Sequence, residues 1–175
     1  FDLPEDFARL WTQRLERVIL RVGSEADETA LMALEAAALL GRTVDEAMWA
    51  GVCKALDFEV PTKVVKMAIS EGLLWPMASG WRFQHGTLRD ALLMIARAES
   101  REVHYHRGIA AYLQSEGLKG QGVRLRCGEH LLHAGDYVPA YDLLLEAEEQ
   151  ARLQGDDLGA ERALELARQA AEGFT

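Results

Sequence analysis

The side chains with the clearest chemical potential are histidines, and they fall into three groups along the chain. His85 stands alone, His104 and His106 are two residues apart, and His130 and His133 are three residues apart. Histidine changes charge near neutral pH, binds metal ions and can donate a hydrogen bond to an anion. Each group is therefore a candidate ligand-binding site.

The two paired groups are poor candidates for a metal site. Residues i and i+2 of a helix do not share a face, so His104 and His106 would form a poor chelate. His130 and His133 are better placed, but no Asp, Glu or Cys is evidently fixed beside them. We therefore expect packing or capping roles for these histidines and no metal site.

The chain lacks the sequence motifs of common catalytic sites. It contains no G-x-x-x-x-G-K-[ST] phosphate-binding loop, no G-x-S-x-G motif and no cysteine pair with metal-site spacing. Cys53 and Cys127 lie far apart within helical patterns, which predicts buried free thiols in a reducing compartment. The sequence predicts no catalytic residues and no bound cofactor in this chain.

Composition and charge narrow the class of protein. The chain has 175 residues, of which 49% are hydrophobic and 27% charged, and its formal net charge is −9. A negative balance disfavours DNA and anionic membranes as partners, because both require clustered positive charge. No apolar run is long enough to span a membrane and no signal peptide is recognisable, so we expect a cytoplasmic protein. Because the chain begins at Phe1, we expect an excised part of a longer protein.

The element that must position His85 is a predicted β-hairpin. Leu73–Trp75 and Trp81–Phe83 are short apolar runs, and they flank a small-residue turn, Ala78–Gly80. This is the only convincing β signal in a pattern that otherwise indicates helices. His85 follows the second run, and a new helix is predicted from about Thr87. We also predict a cross-strand pair of Trp75 and Trp81.

Helical patterns precede the hairpin. Thr43 and Glu46 have the spacing of a capping box, in which Thr43 would begin a helix. Three helices followed by a hairpin predict a winged-helix domain over roughly Gly23–Ala98. The predicted helices are an amphipathic linker Asp2–Val22, a central core helix between Ser24 and Gly41, a helix from Thr43 to about Leu56, and a short helix from Pro61 to Gly72.

The remainder, 99–175, has a wholly helical pattern. Small residues at close-approach positions and Gly-Asp turns indicate tetratricopeptide-like repeats. Asp136 is a predicted N-cap in the first of these turns. The fold class is therefore all-α with one small β-hairpin. The predicted repeat helices are Val103–Gln114, Leu125–Ala134, Tyr137–Leu153 and Leu158–Ala171.

A winged helix also suggests a transcriptional regulator that places its third helix in the DNA major groove. That helix offers Lys63 and Lys66. Gly23–Ala98 contains seven basic and ten acidic residues, so a phosphate-binding footprint is lacking. We predict that DNA is not the partner. A protein-interaction scaffold without nucleotide control is the other alternative.

The stretch Phe83–Ala91, FQHGTLRDA, resembles the end of the winged helix in signal-transduction ATPases with numerous domains, the STAND class. The chain as a whole is similar to the C-terminal regulatory part of bacterial members of that class. Further stretches that carry the resemblance are LEAAALLGRTVDEAMWAGV at Leu34–Val52, WRFQHGTLRDAL at Trp81–Leu92, REVHYHRGIAAYL at Arg101–Leu113 and EHLLHAGDYVPAYDLLLEAEEQA at Glu129–Ala151.

The resemblance implies a role for His85. Immune-receptor relatives carry a Met-His-Asp motif here, and its His contacts the β-phosphate of ADP. His85 matches that His, while Gln84 and Gly86 replace the Met and the Asp. Bacterial relatives carry Phe-x-His, as this chain does. His85 is thus the expected nucleotide-sensing residue in the parent protein, and its supporting residues are Phe83, Arg82 and Arg89. The alternative is that His85 merely caps or bridges the start of the next helix.

The resemblance also implies the partners. An upstream nucleotide-binding domain of the same chain would bind ADP or ATP and make the parent protein an ATPase. The winged helix would dock on that domain, and 1–22 would join the two. The repeats would bind a protein or peptide signal. The expected function is therefore non-catalytic regulation of an ATPase by this part of the chain.

Overall fold

The computed structural model describes residues 5–23 and 27–174. The chain forms two compact units, Phe1–Glu102 and Val103–Thr175. The boundary predicted from sequence, after Ala98, lies slightly earlier in the chain. The described residues are mostly helical, with one small antiparallel sheet. None of the described helices is both long and apolar enough to cross a membrane.

The first unit contains five helices and three strands among its described residues. Helix starts predicted at Asp2 and Ser24 lie outside those residues. The elements in order are α1 (Glu5–Val22), α2 (Asp27–Leu40), β1 (Thr43–Asp45), α3 (Glu46–Ala55), α4 (Thr62–Ser70), β2 (Leu74–Met77), β3 (Gly80–Phe83) and α5 (Gly86–Ala98).

The sheet has the strand order β1-β3-β2, so the predicted hairpin of β2 and β3 is joined by a strand that we did not predict. Val44 of β1 lies opposite Trp81. The predicted capping box is wrong, because Thr43 belongs to this strand. Asp45 is instead the N-cap of α3, and its carboxylate accepts from the Met48 N–H at 2.9 Å.

The predicted cross-strand tryptophan pair is also wrong. Trp75 lies opposite Arg82, whereas Trp81 lies opposite Pro76. Since side chains alternate between the two faces of a strand, this register puts the two indoles on opposite faces. Trp81 is buried and packs edge-on against Trp49, with ring centroids 5.3 Å apart. Trp75 is 51% exposed.

The core of the first unit surrounds α2, as predicted for the central helix. Ala33 to Ala38 are buried without interruption, a run that includes Glu35. Leu15, Val18 and Ile19 of α1 belong to the same core, so the amphipathic helix covers its apolar stripe within this unit. The core therefore fixes α1 in the same unit as the hairpin.

Gly80 allows β1 to approach the hairpin. A Cβ at this position would overlap the Val44 carbonyl oxygen and lie 2.8 Å from the Glu46 nitrogen, and both are backbone atoms. We expect Gly80→Ala to lower the free energy of unfolding by about 1–3 kcal/mol, because the backbone of β1 must shift. Gly86→Ala is the matched control, since a Cβ there meets nothing within 4 Å. Urea unfolding followed by tryptophan fluorescence measures both variants, and equal stabilities would contradict this role for Gly80.

The regular elements described in the second unit are all helices, and α6 begins at the boundary between the units. The predicted bounds of Tyr137–Leu153 are confirmed. The helices are α6 (Glu102–Ser115), α7 (Val123–His133), α8 (Tyr137–Leu153) and α9 (Asp157–Glu172).

The central helix α8 packs against both α7 and α9. Gly128 permits the close contact with α7, because a Cβ there would lie 2.6 Å from Cγ of Leu144. Asp156 caps α9 by accepting from the Gly159 N–H at 2.9 Å. Asp136 occupies the N-cap position of α8 without making the predicted side-chain cap, since its carboxylate binds Arg107 instead.

Candidate functional site

His85 lies at the junction between β3 and α5. It is the N-cap residue of α5, with extended backbone angles of φ −119° and ψ 132°, and its side chain makes no capping hydrogen bond. The residue is exposed. The His85 ring therefore does not cap α5, so capping is not the alternative role of this residue.

Two residues of α1 complete a junction cluster of Trp11, Arg14 and His85. The rings of Trp11 and His85 are in contact in a tilted arrangement, with centroids 4.8 Å apart and an interplanar angle of 37°. The Arg14 guanidinium lies over the Trp11 ring, 5.1 Å from its centroid. Arg14 Nη2 also approaches the Glu71 carbonyl oxygen at 3.4 Å. The contact with Trp11 supports the alternative role of His85 as a bridge, because it links the start of α5 to α1.

The chemistry of the junction cluster suits an anion. Arginine and histidine donate N–H groups, and hydrogen bonds to charged partners are the stronger ones. The first N–H groups of a helix also favour negative charge. Trp11 contributes a flat, partly buried surface that limits the orientations of the His85 ring. The arrangement is therefore suited to binding an anion.

The three supporting residues have separate partners. Phe83 is fully buried and packs edge-on against Trp81, with centroids 5.2 Å apart, so it anchors the end of β3. Arg82 is exposed on the outer face of the sheet, with its guanidinium 6.0 Å from the centroid of the Trp75 ring.

Arg89 links two helices of the first unit. Its Nε donates to the Ala38 carbonyl oxygen at 2.9 Å, in the last turn of α2. Its Nη1 lies 3.5 Å from Oδ1 of the neighbouring Asp90. Neither partner is His85. Arg89 instead supplies a hydrogen-bond donor to a carbonyl group in the last turn of α2.

Both cysteines are free and buried, which confirms that part of the prediction. Burial raises the pKa of Cys53 to about 12 and that of Cys127 to about 11. Cys127 Sγ lies 3.7 Å from the Ala110 carbonyl oxygen. Thiols with such pKa values are protonated at neutral pH and are poor nucleophiles.

The histidines of the second unit are arranged differently from their sequence pairing. His104 and His133 are exposed, whereas His106 and His130 are buried. The Nδ1 atoms of the two buried rings are 2.8 Å apart. The described residues contain no group of three or more His, Cys, Asp or Glu side chains arranged to hold a metal ion.

Sequence reasoning missed a buried ion pair in the first unit. Glu35 is completely buried on α2, and its two carboxylate oxygens accept from Arg101 at 2.6 and 2.9 Å. The available signal was an acidic residue within the apolar stretch 30–40 of this helix. Its partner, 66 residues later, follows α5 and carried no signal of its own.

Helix α4, which corresponds to the third helix of the predicted winged helix, also bears on the DNA alternative. Lys63 and Lys66 are exposed on α4, as a groove-reading helix would require. Acidic residues are exposed on either side of this helix, at Glu59 and Glu71. Glu71 binds Arg21 at 2.7 Å, so this surface carries charges of both signs.

Comparison with known proteins gives no identification. No family model, curated protein or solved structure matches the chain.

Proposed function

We propose that the chain is a non-catalytic regulatory part of a STAND-class ATPase. Its first unit would dock on a nucleotide-binding domain of the same protein. The observation that carries this proposal is the exposed His85 ring, which stands at the N-terminus of α5 without capping it. A ring N–H in that position suits a phosphate group presented by a docked domain.

The element order of the first unit supports a winged helix. A helix, a short strand, two helices and a hairpin follow one another from α2 to β3, and the short strand pairs with the hairpin. The sequence predicted the hairpin alone. The additional strand, β1, makes the unit more similar to a winged helix. The exposed side chains of Trp75 and Met77 in β2 offer apolar surface to a docked domain.

The junction cluster supports a nucleotide-sensing role for His85. Trp11 restricts the His85 ring, so less side-chain entropy is lost when the ring binds a ligand. The Arg14 guanidinium adds a positive charge over the ring of Trp11, which contacts His85. The bound ADP would thus stabilise the docked state through contacts that are lost on opening, which is how a ligand shifts a conformational equilibrium.

The packing of the second unit supports tetratricopeptide-like repeats that bind a protein or peptide signal. Gly128 and a series of buried alanines allow helices α7, α8 and α9 to approach closely. Stacked helix pairs of this kind form extended binding surfaces. In this proposal, a partner on the repeats opens the docked state.

The test is nucleotide retention by the full-length protein. We expect His85→Ala to reduce the ADP that remains bound after purification and to raise basal activity. Loss of one hydrogen bond to a charged group corresponds to about 10- to 100-fold weaker binding. His104→Ala is the matched control, because His104 is an exposed histidine of the second unit.

Unchanged ADP retention and unchanged basal activity in His85→Ala would reject the sensing role. Wild-type protein that binds no nucleotide at all would reject the ATPase parent and favour the scaffold alternative.

A further inference from the structure

The second unit contains a buried histidine pair, His106 of α6 and His130 of α7. Their relative exposures are 6% and 8%, and their Nδ1 atoms are 2.8 Å apart. The two ring centroids are 5.0 Å apart, with an interplanar angle of 44°. A hydrogen bond between two Nδ1 atoms requires one protonated nitrogen and one lone pair. The two neutral rings must therefore be opposite tautomers that share one proton.

Additional protons act against this arrangement in two steps. The first converts one ring to an imidazolium and places a full charge in a buried site, which is costly. The second converts the remaining acceptor to a donor, so that the Nδ1–Nδ1 hydrogen bond can no longer form. Two adjacent imidazolium rings also repel one another.

The neighbouring charged groups oppose protonation as well. Burial lowers the pKa of Arg126, which remains a desolvated cation on α7, and His133 lies on the same helix with its ring centroid 5.0 Å from that of His106. Carboxylates from this and adjoining segments are already engaged by arginines. These pairs are Asp136 with Arg107 of α6, Glu129 of α7 with Arg162 of α9, and Glu146 of α8 with Arg124 of α7.

We propose that the His106–His130 pair is an acid-sensitive latch that holds α6 against α7. The latch is closed when the two neutral rings share their proton. It opens when acid converts both rings to imidazolium, and α6 then loses this hydrogen bond to α7. This device is independent of the function proposed for His85.

The direction in which the stability of the second unit changes with pH follows from His130. Burial, followed by the charges of His106, Arg126 and His133, lowers its pKa from 6.5 to about 3. Between those two pH values the unfolded chain binds a proton that the folded unit excludes. The stabilisation is therefore complete above about pH 6.5 and declines as the pH falls towards about 3.

The aromatic residues allow the two units of the whole chain to be followed separately. All four tryptophans (Trp11, Trp49, Trp75 and Trp81) lie in the first unit. Tryptophan fluorescence therefore reports urea unfolding of the first unit, and circular dichroism at about 222 nm reports the helices of both. The difference between the two transitions gives the unfolding equilibrium constant of the second unit.

We expect this constant to rise by up to about tenfold for each pH unit below about 6.5. His130→Leu removes the titrating ring and should flatten the profile, whereas His104→Leu, an exposed histidine on α6, should retain the wild-type slope. Parallel profiles for the wild type and His130→Leu would overturn the latch.

A second measurement does not depend on a variant that must fold. Long-range proton–nitrogen NMR correlations report the tautomer and charge of each histidine ring in the wild-type chain. We expect one Nδ1 of the pair to carry a proton and the other to accept from it at about pH 5.5, so that two neutral rings are of opposite tautomer. Two charged rings in the pair at that pH, or two neutral rings of the same tautomer, would overturn the proposal.

Discussion

Arg101→Met is expected to lower the free energy of unfolding of the first unit by about 3–5 kcal/mol. The destabilisation comes from Glu35, the partner that stays buried after the substitution. Glu35 has no exposed surface, and both of its carboxylate oxygens accept from Arg101. Methionine keeps much of the apolar stem of arginine but none of its donors. The buried carboxylate would lose its countercharge, and removal of one member of a buried pair is strongly destabilising.

Two controls separate the buried charge from a general effect of the substitution. Arg97→Met removes a comparable two-bond pair with Glu102, but the Arg97 side chain is 69% exposed, so we expect a loss below about 1 kcal/mol. The double variant Glu35→Leu/Arg101→Met should recover most of the stability, because no charge is left buried. Urea unfolding followed by tryptophan fluorescence measures all three. A loss below about 1 kcal/mol in Arg101→Met would contradict this assignment.

Trp49→Ala is expected to cost about 3–5 kcal/mol in the same unit. Trp49 is 1% exposed, and its indole Nε1 donates to the Ala33 carbonyl oxygen of α2 at 2.8 Å. Its ring also packs edge-on against Trp81 of the sheet. The substitution would leave a large cavity between α2, α3 and the sheet, and the surrounding elements cannot close it without losing the strand pairing.

Trp75→Ala is the matched control for that substitution. Trp75 is half-exposed on the outer face of the sheet, beside the Arg82 guanidinium. We expect its removal to change the free energy of unfolding by less than about 1 kcal/mol. Circular dichroism is the appropriate probe, because each variant loses a fluorophore. Equal losses in the two variants would contradict a larger contribution of the buried Trp49 to the stability of the core.

Local patterns predicted the helices well. The apolar spacing in 137–153 and the glycines that end helices identified the bounds of α8 and the central position of α2. Strand β1 was missed because it has only three residues, of which Val44 alone is buried. Its stability comes from pairing with Gly80–Phe83, which lies nearly forty residues later and leaves no local signal.

Contacts between distant residues also limited prediction of the site. His85 was identified from its residue type and its place after the hairpin, but its partner Trp11 lies on α1, and only the fold brings them together. Likewise, His130 was considered with His133 because of helical spacing, whereas its hydrogen-bond partner is His106 on another helix. Sequence spacing describes one helix face, while these pairs depend on how helices pack.

The dissociation of ADP from the full-length protein is the most direct test of the proposed regulatory role. The measurement compares the dissociation rate of labelled ADP in the wild type, His85→Ala and His104→Ala. We predict at least about tenfold faster release from His85→Ala, and wild-type release from His104→Ala. ADP release from His85→Ala at the wild-type rate would contradict nucleotide sensing by this residue.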